Sequence, residues 1–150
     1  MTVHQYSTTL SWEGSTGAGY RAYRREHDVR VSEEIITLSA DSAFRGEASL
    51  PNPEQLLLAA ASSCLLLSFL AVAAQAGVDV VRYDDDAAAF MPMDEQPARI
   101  TRVALAPKIA VRGAEAARVV ELLHEAHAGC YIANSLTAEA TIALTVEVLP

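Results

Sequence analysis

Apolar positions along this chain change period several times, and each change marks an element. Residues Tyr6 to Trp12 alternate, GSTGAG reads as a glycine turn, and Tyr20 to Val31 alternates again, which predicts a hairpin. A short third strand is predicted near Ile35 to Leu38, followed by the loop SADSAFRGEASLPNP. Asn52-Pro53-Glu54 is a helix start: a capping side chain, a proline at the first helical position and an acid in the first turn. Gly77 closes that helix about six turns later. Strands are predicted at Val78 to Tyr83, with room to extend to Phe90, and at Arg99 to Val111, where Pro107 marks a kink or an edge. Val119, Leu122, Leu123 and Ala126 repeat at helical spacing within Glu115 to Ala128, which Gly129 ends. Tyr131 to Ser135 has the makings of another helical turn, and ATIALTVEVL is an alternating last strand. The order β-β-β-α-β-β-α-β reads as α+β, and 150 residues without repeat or linker predict one domain over 1–150.

The first helix carries an unusual load. Leu56 to Ala74 holds no charged residue over 19 positions, close to the length of a membrane span. Against a span stand the Ser62, Ser63, Cys64 and Ser68 side chains, the lack of flanking Lys or Arg, and strands on both sides. A helix apolar all round is instead a buried central helix, and its full wrapping calls for a second subunit. An apolar fraction of 51% points the same way.

Charge narrows the partners. A net −8 opposes binding to nucleic acid, which needs clustered Lys and Arg, and opposes anionic membrane surfaces. The opening MTVHQYSTTLSW is polar and strand-like, unlike a secretory signal. Two cysteines in that setting predict a reducing cytoplasm, where a disulfide is transient and catalytic.

Those cysteines, Cys64 and Cys130, lie about 66 residues apart on apolar segments and are the only possible internal redox pair. Cys64 taken alone reads as a small buried hydrophobe. Cys130 follows a helix-ending glycine at the start of a short helix, where exposed N–H groups favour a thiolate. If the two helices pack together, the pair meets the needs of a thiol peroxidase: one thiolate to attack the O–O bond, one thiol to resolve the sulfenic acid. His124, His127 and Cys130 form H-x2-H-x2-C, which Cys64 could complete as a zinc set. Glu54 stands ten helical residues before Cys64, about 15 Å of rise, so any shared role needs a bridging cation. Arginine suits that bridge, and Arg45, Arg21, Arg24 and Arg25 are the candidates, with Arg24 opposite Arg21 and Arg25 by strand alternation. No glycine elbow surrounds Ser62, Ser63 or Ser68, which weighs against a serine nucleophile.

PNPEQLLLAAASSC resembles the NPE-x-L signature of the OsmC/Ohr family, with its ten-residue step from Glu54 to Cys64, and LLHEAHAGCYIANSL resembles that family's second cysteine motif. Trp12 and Gly14 near the start, and AFRGE before the helix, fit an OsmC-like subgroup. The Ohr branch differs, with a proline where Tyr131 follows the second cysteine here. The resemblance implies an α+β intertwined homodimer with two central helices and active sites at the dimer interface. It implies a cysteine-based peroxidase of oxidative and osmotic stress defence, acting on organic hydroperoxides or hydrogen peroxide and regenerated by an external dithiol. In it Cys64 would be the peroxidatic thiol, Cys130 the resolving thiol and Glu54 the acid orienting an arginine, Arg45 first and Arg24 second. It implies no cofactor. The alternative is a non-catalytic module of the same fold, holding a small apolar ligand in the dimer pocket.

Overall fold

The computed structural model describes residues 1–150, which form two compact units, Met1–Leu56 and Leu57–Pro150. In the first unit, β1 (Thr8–Ser11), β2 (His27–Val31) and β3 (Glu34–Leu38) make an antiparallel sheet in that order. A two-residue turn joins β2 to β3, with Ser32 at a φ of 56°. The first two strands pair Thr8 with Val31 and Ser11 with Asp28, but they are shorter than their alternation predicts. Instead of continuing the strand, residues 20–25 fold back. The Arg25 guanidinium donates to the carbonyls of Tyr23 (2.9 Å) and Tyr20 (2.7 Å) and lies over both tyrosine rings. That clamp holds the segment as turns, so the strand alternation used to place Arg24 opposite Arg21 and Arg25 does not apply. GSTGAG likewise is no tight hairpin; Thr16–Ala18 is a 3-10 turn capped by the Ser15 hydroxyl, which accepts from Gly17 N.

The loop after β3 is built around Asp41, whose carboxylate accepts from Ala43 N at 2.7 Å and caps the 3-10 turn Ser42–Phe44. Gly46 is required here: a Cβ on it would sit 1.6 Å from the Ala40 carbonyl oxygen. Helix α1 (Pro53–Gln75) then starts as the sequence predicts. Asn52 Oδ1 accepts from Gln55 N (2.9 Å), and Gln55 Oε1 accepts in return from Asn52 N (3.1 Å), a reciprocal capping box. Gly77, at φ 72°, takes the left-handed conformation that ends the helix.

The second unit continues α1 and adds β4 (Asp79–Asp85), β5 (Ala88–Phe90), β6 (Arg102–Leu105), β7 (Pro107–Arg112), α2 (Ala116–Ala128), β8 (Glu139–Ile142) and β9 (Thr145–Leu149). Two three-stranded sheets result, β4-β7-β9 and β5-β6-β8. Each has one antiparallel pair and one parallel pair, the parallel pairs being β7 with β9 and β6 with β8. Three predicted strands are therefore each split in two. Arg99 to Val111 breaks at Ala106, whose N–H donates to Asp85 Oδ1 at 2.7 Å, next to a Pro107 that has no N–H to give. The last strand breaks where Ala143 N donates to Leu105 O at 2.9 Å. The class stays α+β, with two helices and more, shorter strands.

The core of this unit is one cluster. α2 buries Val119, Leu122, Leu123 and Ala126, the four positions its periodicity marks. They join Val103, Leu105, Ile109 and Val111 from the sheets. α1 contributes Ala61, Leu65, Phe69 and Ala73, a single stripe at four-residue spacing. Fully burying Phe69 and Leu65 stabilises the fold by roughly 2–3 kcal/mol each. The rest of this apolar helix is not covered in the same way: Leu67 is 63% exposed and Leu70 37%.

Candidate functional site

Helix packing brings the two cysteines together. Cys64 lies mid-way along α1, and Cys130 is the buried residue that follows Gly129 at the end of α2. Both are free thiols, and each is among the groups that shift the other's acidity. The chain just past Cys130 does not open a helix that serves Cys130 alone. Its Ile132 N–H donates to Cys64 Sγ at 3.5 Å.

This sharing sets the acidity of the pair. Burial pushes the Cys64 thiol up. The Ile132 N–H, the Cys130 thiol, the Ser68 hydroxyl and the Tyr131 N–H outweigh burial and hold it below its ordinary value. Burial also pushes Cys130 up. The Ala133 and Ile132 N–H groups pull down, but contact with Cys64, by hydrogen bond and by charge, leaves Cys130 above its ordinary value. The local reading of the sequence therefore needs correction. Position at a helix start made Cys130 the favoured thiolate, and the packed structure favours Cys64.

The remaining predicted residues belong to the first unit. Glu54 sits in the first turn of α1, and its Oε2 is buried without a hydrogen-bond partner. Arg45 ends the 3-10 turn before the helix, exposed and at φ 67°, a left-handed backbone uncommon for a residue with a side chain. The Arg24 side chain is 80% exposed and pairs with Glu26 at 3.4 Å. Neither arginine forms an ion pair with Glu54. The zinc alternative does not assemble: no three His, Cys, Asp or Glu side chains converge on a metal position, and His124 is exposed.

Sequence reasoning missed Asp85 and Tyr83, and with them the partner of Ser62. Ser62 of α1 hydrogen-bonds Asp85, at the end of β4, which also takes the Ala106 N–H. Tyr83, two residues before Asp85, packs on Phe69 with ring centroids 6.0 Å apart. Alternation in RYDDDA puts Tyr83 and Asp85 on one face opposite Asp84, a signal hidden because three successive aspartates read as a solvated run.

The first unit also holds a cleft of about 540 Å³, lined by Leu10, Trp12, Tyr20, Tyr23, His27 and Phe44 among others. Its walls are tied down. Trp12 Nε1 donates to Arg24 O at 2.9 Å, and His27 Nδ1 lies 2.8 Å from Arg25 O, which fixes the ring proton on that nitrogen.

Residues 46–145 match the profile of the family described as OsmC-like protein. The chain belongs to the OsmC-like family. Peroxiredoxin OsmC of Escherichia coli strain K12 is 28% identical over 142 residues, covering 95% of this chain and 96% of its own. An OsmC-like protein of unknown function from Vibrio cholerae superposes with a TM-score of 0.85 at 25% identity, covering 95% of this chain and 99% of its own. An organic hydroperoxide resistance protein from Elizabethkingia anophelis shares the fold, with a TM-score of 0.72 at 19% identity and 99% of each chain covered.

Proposed function

We propose that this OsmC-like chain is a thiol peroxidase acting on organic hydroperoxides, in which Cys64 is oxidised and Cys130 resolves it. The observation that carries this reading is that the segment just past Cys130 reaches the other thiol, the Ile132 N–H donating to Cys64 Sγ at 3.5 Å, and the two thiols shift in opposite directions. The Cys64 thiolate attacks the distal peroxide oxygen. The O–O bond breaks, an S–O bond forms, and the alkoxide leaves as alcohol once protonated, so Cys64 becomes a sulfenic acid. Cys130 then forms the disulfide, water leaves, and an external dithiol restores both thiols by exchange. Hydrogen peroxide is a second substrate of the same chemistry.

An arginine completes the proposed site, Arg45 first and Arg24 second. The buried, unpartnered Glu54 oxygen supports a guanidinium docking there, and strained backbone of the kind found at Arg45 collects at functional positions. We place the site at the interface of a homodimer in the cytoplasm, with residues 1–150 acting as one functional domain. Names carried by the Escherichia coli and Elizabethkingia anophelis relatives support the substrate class.

The test adds cumene hydroperoxide stoichiometrically to reduced protein and titrates free thiols. Loss of both thiols and formation of one intramolecular disulfide are expected, with no peroxide consumed by Cys64→Ser. Persistence of both thiols would defeat the reading. A second reading, a non-catalytic module for a small apolar ligand, is favoured by the aromatic cleft alone. Under it, Cys64→Ser and wild type bind the ligand alike and neither consumes peroxide, and Trp12, the only tryptophan, reports the binding.

A further inference from the structure

The N–H that reaches Cys64 belongs to a peptide whose other side is also engaged. Ile132 N donates to Cys64 Sγ at 3.5 Å, and the Tyr131 carbonyl of that same peptide accepts from the Ser135 hydroxyl at 2.7 Å. In a trans peptide the C=O and N–H point in opposite directions, so holding one aims the other. The backbone donors one turn on are committed elsewhere, Asn134 N to Cys130 O at 3.0 Å and Ser135 N to Ile132 O at 2.9 Å. That leaves the Tyr131 carbonyl to the serine side chain. Ile132 and Leu136 pack against the core cluster, which anchors their side chains without fixing how the peptide between Tyr131 and Ile132 is turned. A serine bonding the carbonyl four residues back is a common local habit, but here that carbonyl's peptide serves a sulfur 68 residues from Ile132. Ser135 is exposed, and water would satisfy the same carbonyl without fixing its direction. Burial pushes the Cys64 thiol up, and the Ile132 N–H heads the groups that bring it below its ordinary value. Among those groups Cys130 alone titrates. A hydrogen bond to the carbonyl also polarises the peptide and strengthens its N–H as a donor.

We propose that Ser135 is a positioning residue for the reacting thiol: its hydroxyl holds the Tyr131–Ile132 peptide so that the N–H stays aimed at Cys64 Sγ. The inference rests on the peroxidase reading and deepens it, since the same N–H then steadies the thiolate that attacks the peroxide. Ser135 acts through one peptide rather than on the sulfur itself.

Ser135→Ala and Ser135→Thr separate this role from general stability, the first removing the hydroxyl and the second keeping it. Each reduced protein is alkylated with iodoacetamide across pH, and Cys64 and Cys130 are read as separate peptides by mass spectrometry. For Ser135→Ala the Cys64 inflection is expected to move up, with labelling at neutral pH roughly two- to tenfold slower, the loss of one hydrogen bond. At high pH, where the thiol is fully ionised, labelling should match wild type, which a mere loosening of the fold would not give. Ser135→Thr should keep the wild-type profile. An unchanged inflection in Ser135→Ala overturns the inference, as does a threonine variant that behaves like alanine. Ser135→Val, the shape of threonine without its hydroxyl, gives the same readout should Ser135→Ala fail to fold. Consumption of cumene hydroperoxide at neutral pH should slow by the same factor as labelling. A wild type that consumes none brings down the peroxidase reading and this use of Ser135 with it. A wild type that consumes peroxide, beside an unchanged inflection in the variant, brings down the inference alone.

Discussion

At the scale of single residues, a thiol on an apolar helix becomes acidic because another segment lends it N–H groups. The Ile132 N–H reaches Cys64 Sγ at 3.5 Å, and the Cys130 thiol adds a second donor. Reaction with peroxide or an alkylating agent needs the thiolate, so its rate climbs with pH through the folded thiol's own ionisation. Because that ionisation is lowered, alkylation of Cys64 by iodoacetamide should show an inflection below that of an ordinary cysteine. Cys130 should lag behind it at every pH. Cys130→Ala removes one donor to Cys64 and should move the inflection upward, as read by mass spectrometry of quenched samples. Faster labelling of Cys130 at neutral pH would contradict this ordering. Helix position alone points the opposite way, because a helix start is a local feature, whereas the family resemblance makes Cys64 the peroxidatic thiol. Which sulfur the Ile132 N–H serves depends on a contact made 68 residues away in the chain.

At the scale of elements, what local chemistry governs was legible, and what tertiary partners govern was not. The start of α1 was readable because Asn52 and Gln55 satisfy each other's backbone groups within one turn. The buried face of α2 was readable because four apolar residues recur at one spacing. Strand lengths were misjudged for reasons no pattern records: a guanidinium folding residues 20–25 back, and a carboxylate diverting the Ala106 N–H. The same logic makes the cap testable. Asn52→Ala removes the acceptor for Gln55 N and the weak 3.5 Å contact to Asp41, and should destabilise the protein by about 1–2 kcal/mol. Urea unfolding followed by circular dichroism checks this through a lower midpoint at unchanged slope. An unchanged midpoint would mean that α1 is held by its packing alone.

At the scale of the whole molecule, the uncovered side of α1 poses the largest physical problem. The helix is long and apolar enough to cross a membrane, yet one stripe of it is committed to a core shared with β-sheet residues and α2. A lipid-embedded helix does not offer that stripe to strands, so the exposed Leu67 and Leu70 call for a protein cover. The homodimer we propose supplies one. Two copies that each carry −8 repel, and only apolar burial can overcome the repulsion. Salt screens the repulsion and leaves the apolar gain in place, so association should tighten as ionic strength rises. Leu67→Glu removes an exposed leucine that the proposed contact would bury and adds another negative charge. Losing the leucine alone is worth roughly 1.5–3 kcal/mol, about ten- to hundredfold in dissociation constant, and the charge weakens the contact further. Light scattering coupled to size exclusion should show wild type at twice the chain mass and Leu67→Glu shifted toward one chain. A wild type that stays monomeric at high salt, or a variant that dimerises as tightly as wild type, would mean that a different surface or partner covers the helix.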